Sequence, residues 1–279
     1  MSESRFPFRF GPYSCSAIID AREIRPITTL TTSLSPEALA AELSSQGYSP
    51  TEVISDYNVL FMDTGKNLAL VDSGWGCCTK KIQGRLVTNL QEAGFKPEDI
   101  DLVILTHGDR DHLGGLIDAQ GKAVFPYASY VISQEAWDWY HDPGNLALMP
   151  AEVSEFYRNI LPLLESNLRL VDGETEILPG LTMIPAPGHR PGHSVLRLTL
   201  GGKHLLHIAD AVAHPLLMLH PDWYWVFDSY PDAATQTRRD LLAWAAENKA
   251  MLFGSHLPFP GLGTVKPRGN GWLWQPVEP

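Results

Sequence analysis

The chain has 279 residues, 44% of them hydrophobic, and a formal net charge of −11. That is enough apolar material for a sizeable core in one large α/β domain or two small ones. The acidic surplus, with Lys and Arg scattered, excludes nucleic acid and anionic membrane surfaces as expected partners, because both reward dense positive charge.

Residues 1–11 lack the apolar core of a secretory signal, and no run approaches the roughly 18 apolar residues that span a bilayer. Three cysteines, two of them the adjacent Cys77 and Cys78, offer no disulfide framework. A soluble protein in a reducing cytoplasm is therefore expected. After an irregular N-terminal stretch, residues 35–43 read as a short surface helix with Ser35 as N-cap and Pro36 at its first position. Residues 58–62 and 68–71 are apolar runs separated by Asp-Thr-Gly-Lys-Asn, the chemistry of a hairpin turn. Between 79 and 95, Ile82, Leu86, Leu90 and Ala93 recur at helical spacing, with Thr79 as cap and Gly94 near the end. Residues 101–106 are nearly continuous apolar sequence, the pattern of a strand buried on both faces. A strand is expected at 129–133 and helices at 134–141 and 150–166. Short strands punctuated by Gly173, Pro179-Gly180, Pro187-Gly188 and Gly201-Gly202 fill 168–208. A helix over 232–248 closes the pattern, with Leu241, Leu242, Trp244 and Ala245 on its apolar face. This order suits sheets sandwiched between helices.

The segment Thr106-His-Gly-Asp-Arg-Asp-His-Leu-Gly-Gly115 places His107, Asp109, Asp111 and His112 directly after a buried strand. In extended backbone 107, 109 and 111 project to one side, and His112 serves a neighbouring position, a geometry for two metal ions. Imidazole with carboxylate suits zinc, manganese, iron or cobalt, and the lack of cysteine argues against a structural thiolate site. Glycines 108, 114 and 115 allow the backbone to fold tightly there. Three further apolar runs end in ligand chemistry: the loop holding His189 and His193, the strand ending at Asp210, and the strand ending at His256. Separate strand ends delivering such groups are what a site at one edge of a layered sheet requires.

These motifs resemble the metallo-β-lactamase superfamily, whose signature is His-x-His-x-Asp-His followed by a distant His, a bridging Asp and a last His. The resemblance spans roughly residues 55 to 265 and includes Leu70-Val-Asp72-Ser-Gly74 and Pro187-Gly-His-Arg-Pro-Gly-His193. Within the superfamily, residues 125–137 and 255–263 are similar to the branch of methyl parathion hydrolase and lactonase-like enzymes. The resemblance implies a four-layer αββα sandwich, one domain over 1–279 with an N-terminal extension of about 54 residues, and a homodimer as an option. It implies that His107, Asp109 and His189 hold one metal, that Asp111, His112 and His256 hold the other, and that Asp210 bridges them. The chain departs from the pattern at Asp109, where the family usually has histidine. Two divalent ions are expected, zinc foremost, with manganese or iron as options because aspartate adds negative charge, which favours a harder ion and lowers Lewis acidity.

Two such ions would share a water, bring its pKa toward neutrality and supply a hydroxide nucleophile. Asp111 is the expected catalytic proton carrier, and Asp72 and His193 are expected to orient ligands. The substrate pocket is placed on the aromatic stretch 214–227, with His214, Met218, His220, Trp223, Trp225 and Phe227, flanked by Trp75 and Phe259. Such a pocket suits a small apolar ester, lactone or phosphotriester. An iron-dependent oxidoreductase and a non-catalytic, metal-poor homologue are the alternatives.

Overall fold

The computed structural model describes residues 4–79 and 81–277; Lys80, inside the helix expected over 79–95, lies outside them. One sheet holds, in spatial and chain order, β1 (Arg5–Phe10), β2 (Tyr13–Pro26), β3 (Glu52–Asp63), β4 (Leu68–Val71), β5 (Leu102–Ile104), β6 (Ser129–Ser133) and β7 (Leu168–Val171). The second holds β8 (Thr175–Leu178), β9 (Leu181–Pro185), β10 (Ser194–Leu200), β11 (Lys203–His207), β12 (Met251–Phe253), β13 (Leu262–Arg268) and β14 (Gly271–Pro276). Pairing is antiparallel except along β4–β7 and between β11 and β12. The helices are α1 (Pro36–Ser45), α2 (Leu86–Glu92), α3 (Arg110–Leu113), α4 (Gln134–His141), α5 (Pro143–Ala147), α6 (Ala151–Leu164), α7 (Pro215–Leu219) and α8 (Pro231–Glu247). No helix among the described residues is long and apolar enough to cross a membrane.

Alternation along the strands decides the stacking, because successive side chains point to opposite faces. Leu60, Met62, Val71 and Ile104 of the first sheet meet Leu196, Leu198, Leu205 and Phe253 of the second in a buried core between the sheets. Their neighbours Phe61, Leu70 and Val103 face outward to Leu90 of α2, Tyr140 of α4 and Leu161 of α6. On the other side Val195, Leu206 and Leu252 meet Leu43 of α1, Leu217 of α7 and Leu242 of α8. The result is four layers, αββα, as expected.

Three local expectations fail. The N-terminal stretch is not irregular: β1 and β2 pair with each other, and β2 pairs with β3 over most of its length. Helix α1 is not merely a surface element, since Leu39 and Leu43 are fully buried; its N-cap Ser35 does accept from the Ala38 amide. The helix expected from Thr79 begins only at Leu86. Buried Asp20 on β2 takes the amides of Trp75 and Leu86, while the Thr79 hydroxyl accepts from the Ile82 amide and caps no helix.

Candidate metal centre

The carboxyl ends of five strands converge. Asp72 follows β4, His107 to His112 follow β5, His189 follows β9, Asp210 follows β11 and His256 follows β12. Extended backbone carries His107 and Asp109, but α3 begins at Arg110, so a helical turn, not the expected alternation, sets the directions of Asp111 and His112. Two glycines make the close approaches: a Cβ on Gly108 would lie 2.1 Å from the Tyr140 ring, and one on Gly115 2.0 Å from the Ser73 carbonyl oxygen. Asp72 and Ala209 adopt positive φ, 63° and 42°, strain of the kind held at functional sites.

Two groups of ligand-type atoms result, Asp111 with His112, Asp210 and His256, and His107 with Asp109 and His189. Asp210 links them. Its Oδ1 lies 3.1 Å from His112 Nε2, and its Oδ2 lies 3.1 Å from His256 Nε2 and 3.4 Å from His189 Nε2. Asp111 Oδ2 is 3.7 Å from His112 Nε2 and 3.5 Å from His256 Nε2. Asp109 Oδ2 is 3.8 Å from His107 Nε2 and 3.6 Å from His189 Nε2. Donors about 2.1 Å from a tetrahedral ion sit roughly 3.4 Å apart, so these spacings fit edges of coordination polyhedra.

The four inward-facing histidines are held from behind at Nδ1. His112 donates to Asp72 at 2.8 Å. His107 donates to the Thr106 hydroxyl, which donates on to Asp72. His189 donates to Asp228, and His256 to the Asp56 carbonyl. This fixes the tautomer that presents Nε2, the arrangement of metal-binding imidazoles. Nε2 of His107, His112 and His189 and Oδ1 of Asp210 are buried without a hydrogen-bond partner, which is costly unless a cation supplies the missing contact. His193 differs: its Nε2 accepts from the Asp210 amide and its Nδ1 donates to the Ala186 carbonyl, so it braces the Asp210 backbone. Burial opposes charge here, yet Asp210, Asp72 and Asp111 raise His112 well above the usual histidine range, and Asp109, Asp210 and Asp228 lift His189 to about 9. Burial and the neighbouring His112 push His107 well below the usual range, so it is around His112 and His189 that the carboxylates favour a positive charge, a proton or a divalent cation in its place.

Above the two groups opens a cleft of about 330 Å³, lined by Trp75, Trp139, Met149, Val153, Trp225 and Phe227 and by Arg25, Arg110 and Arg190. Trp225 stacks on the His189 ring, centroids 5.0 Å apart, and Phe227 meets Trp225 edge-on. Only Trp75, Trp225 and Phe227 of the expected pocket residues line it. The other five do not. His214 caps α7 through the Leu216 amide, and Met218 is buried beneath the second sheet's outer face. His220 pairs with Glu42 and stacks on Trp223 away from the cleft, and Phe259 packs against the core between the sheets.

A family model for the metallo-β-lactamase superfamily matches residues 55–256. The chain belongs to the metallo-β-lactamase superfamily. Among curated relatives, a probable metallo-hydrolase of Mycobacterium bovis is 25% identical over 187 residues, 56% of this chain and 57% of that protein. An N-acyl homoserine lactonase of Bacillus cereus is 29% identical over 114 residues, 41% of this chain and 39% of that protein. The chain thus spans about half the length, or less, of these curated relatives. Among solved structures, AidC, a dizinc quorum-quenching lactonase in complex with a product, is similar with a TM-score of 0.91 at 29% identity, covering 99% of this chain and 98% of that one.

Superfamily membership leaves several residues of this site unannounced. Arg190 follows His189 directly and was legible as a neighbour of a ligand. Arg25, Tyr140 and Tyr157 come from β2, α4 and α6, with no local pattern to mark them. Asp228, behind His189, is in turn held by the fully buried Arg238 of α8.

Proposed function

We propose that this chain is a dinuclear metallo-hydrolase that opens the ring of apolar lactones. The observation that carries the reading is a pair of histidine and carboxylate groups linked by Asp210 at the floor of a half-apolar, half-polar cleft. The residues fit two divalent ions: His107, Asp109 and His189 would hold one, Asp111, His112 and His256 the other, and Asp210 would serve both. The dizinc centre of AidC supports zinc. When bound, such ions lower the pKa of water and polarise a carbonyl oxygen.

The chain's own groups position and move protons. Asp111 is 15% exposed at the cleft, with Oδ2 toward His112 and His256. Oδ1 is left to take the proton of the attacking water and return it to the ring oxygen as the carbon–oxygen bond breaks. Trp139, Met149 and Val153 form a wall for an apolar arm.

The test is hydrolysis of N-acyl homoserine lactones of increasing chain length, an aryl acetate and an aryl phosphotriester. The lactones are expected to exceed the other two by tenfold or more in kcat/KM, rising with chain length. Preferred turnover of the phosphotriester would replace lactone by phosphotriester as substrate class. Oxygen consumption without hydrolysis would instead favour an oxidoreductase.

A further inference from the structure

Asp109 stands where the superfamily pattern resembled by this sequence has a neutral histidine, and the substitution alone would add one negative charge to the first metal position. The structure places a cation against it. Arg190 Nε donates to the Asp109 carboxylate at 2.9 Å, and the Tyr140 hydroxyl donates to Asp109 Oδ1 at 2.9 Å. Arg190 is itself held by contacts independent of any ion: Nη1 donates to the carbonyls of His189 and Phe227 and to the Ser229 hydroxyl at 3.1 Å. Its guanidinium is thus fixed before a metal arrives. Asp109 Oδ2, also 2.9 Å from Arg190 Nε, faces His107 and His189 at 3.8 and 3.6 Å.

We propose that Asp109 and Arg190 act as one unit that replaces a histidine ligand, the arginine cancelling the charge the aspartate adds. This rests on the dinuclear reading above. With Arg190 beside it, the ligand set carries the net charge it would have with histidine at 109. The expectation that Asp109 selects a harder ion and lowers Lewis acidity therefore does not follow, because it counted the carboxylate without the guanidinium. Arg190 is a positioning residue here: it acts on the ion through Asp109.

Charge logic makes opposite predictions from packing logic. Removing Arg190 leaves Asp109 uncompensated, so a cation binds more tightly; replacing Asp109 by histidine leaves Arg190 uncompensated, so a cation binds more weakly. The experiment is calorimetric zinc titration of the stripped full-length chain as wild type, Arg190→Gln, Arg190→Lys, Asp109→His and the double variant Asp109→His with Arg190→Gln. The weaker of two zinc sites is expected to tighten roughly tenfold in Arg190→Gln and to loosen roughly tenfold in Asp109→His. In Arg190→Lys and in the double variant it should stay within about threefold of wild type, a non-additive cycle. If Arg190 only braces the loop, both Arg190 variants loosen zinc and the double variant is worst, which overturns the proposal. Failure of Arg190→Gln to fold leaves the comparison of Asp109→His with Arg190→Lys, where a tight histidine variant overturns it equally. Uptake of fewer than two ions by the wild type would overturn the dinuclear reading itself, whereas two ions with the wrong signs would overturn this inference alone.

Discussion

Asp72 shows how much one side chain can organise. It receives His112 directly, receives His107 through Thr106, and takes the Thr106 amide, all while at a φ of 63°. Losing such an orienting carboxylate typically costs 10–100-fold in metal affinity. Asp72→Asn, which tolerates the left-handed backbone, is expected to weaken zinc binding by about that factor in calorimetry; unchanged affinity would deny Asp72 an orienting role. The residues proposed as ligands were legible because four of them crowd into six positions and the rest sit at ends of apolar runs. Pocket residues were not: Trp225 and Trp223 are two apart and chemically alike, yet one stacks on His189 and the other on His220.

At the scale of elements, the hairpin of β3 and β4, buried β5, and helices α4, α6 and α8 were readable from period and turn chemistry. Helix α2 was not, because the amide that starts it is taken by Asp20, distant in sequence. Burial pushes the Asp20 carboxyl from 3.8 up to about 6, against the lowering effect of three amides. The folded chain then holds a proton that the unfolded chain releases near pH 4, so Asp20 makes stability fall as pH rises from about 4 to about 6. The size is on the order of 3 kcal/mol. Denaturant melts of wild type and Asp20→Asn across that range should converge or cross accordingly, with the wild type losing ground as pH rises. Parallel curves would mean that Asp20 titrates normally.

For the molecule as a whole, the proposed metals tie together ends of strands from both sheets, so their removal bears on global stability. A ligand at a thousand times its Kd stabilises the native state by about 4 kcal/mol. Chelation is therefore expected to lower the Tm by roughly 10 °C, with zinc restoring it. A Tm indifferent to metal would mean that the paired histidine and aspartate groups are stable without an ion, against the reading proposed for the site.

From sequence alone came the mixed α/β order, the residues proposed for the metal centre and, through the family resemblance, the αββα class and the departure at Asp109. These depend on strand periodicity and on a ligand pattern concentrated in a few short runs. Tertiary structure alone decided that β1 and β2 extend the first sheet, that α7 carries half of the aromatic stretch into the core, and that Arg190 and Tyr140 hold Asp109. Those outcomes turn on contacts between segments far apart in the chain, where nothing local distinguishes a residue facing the cleft from one facing the core.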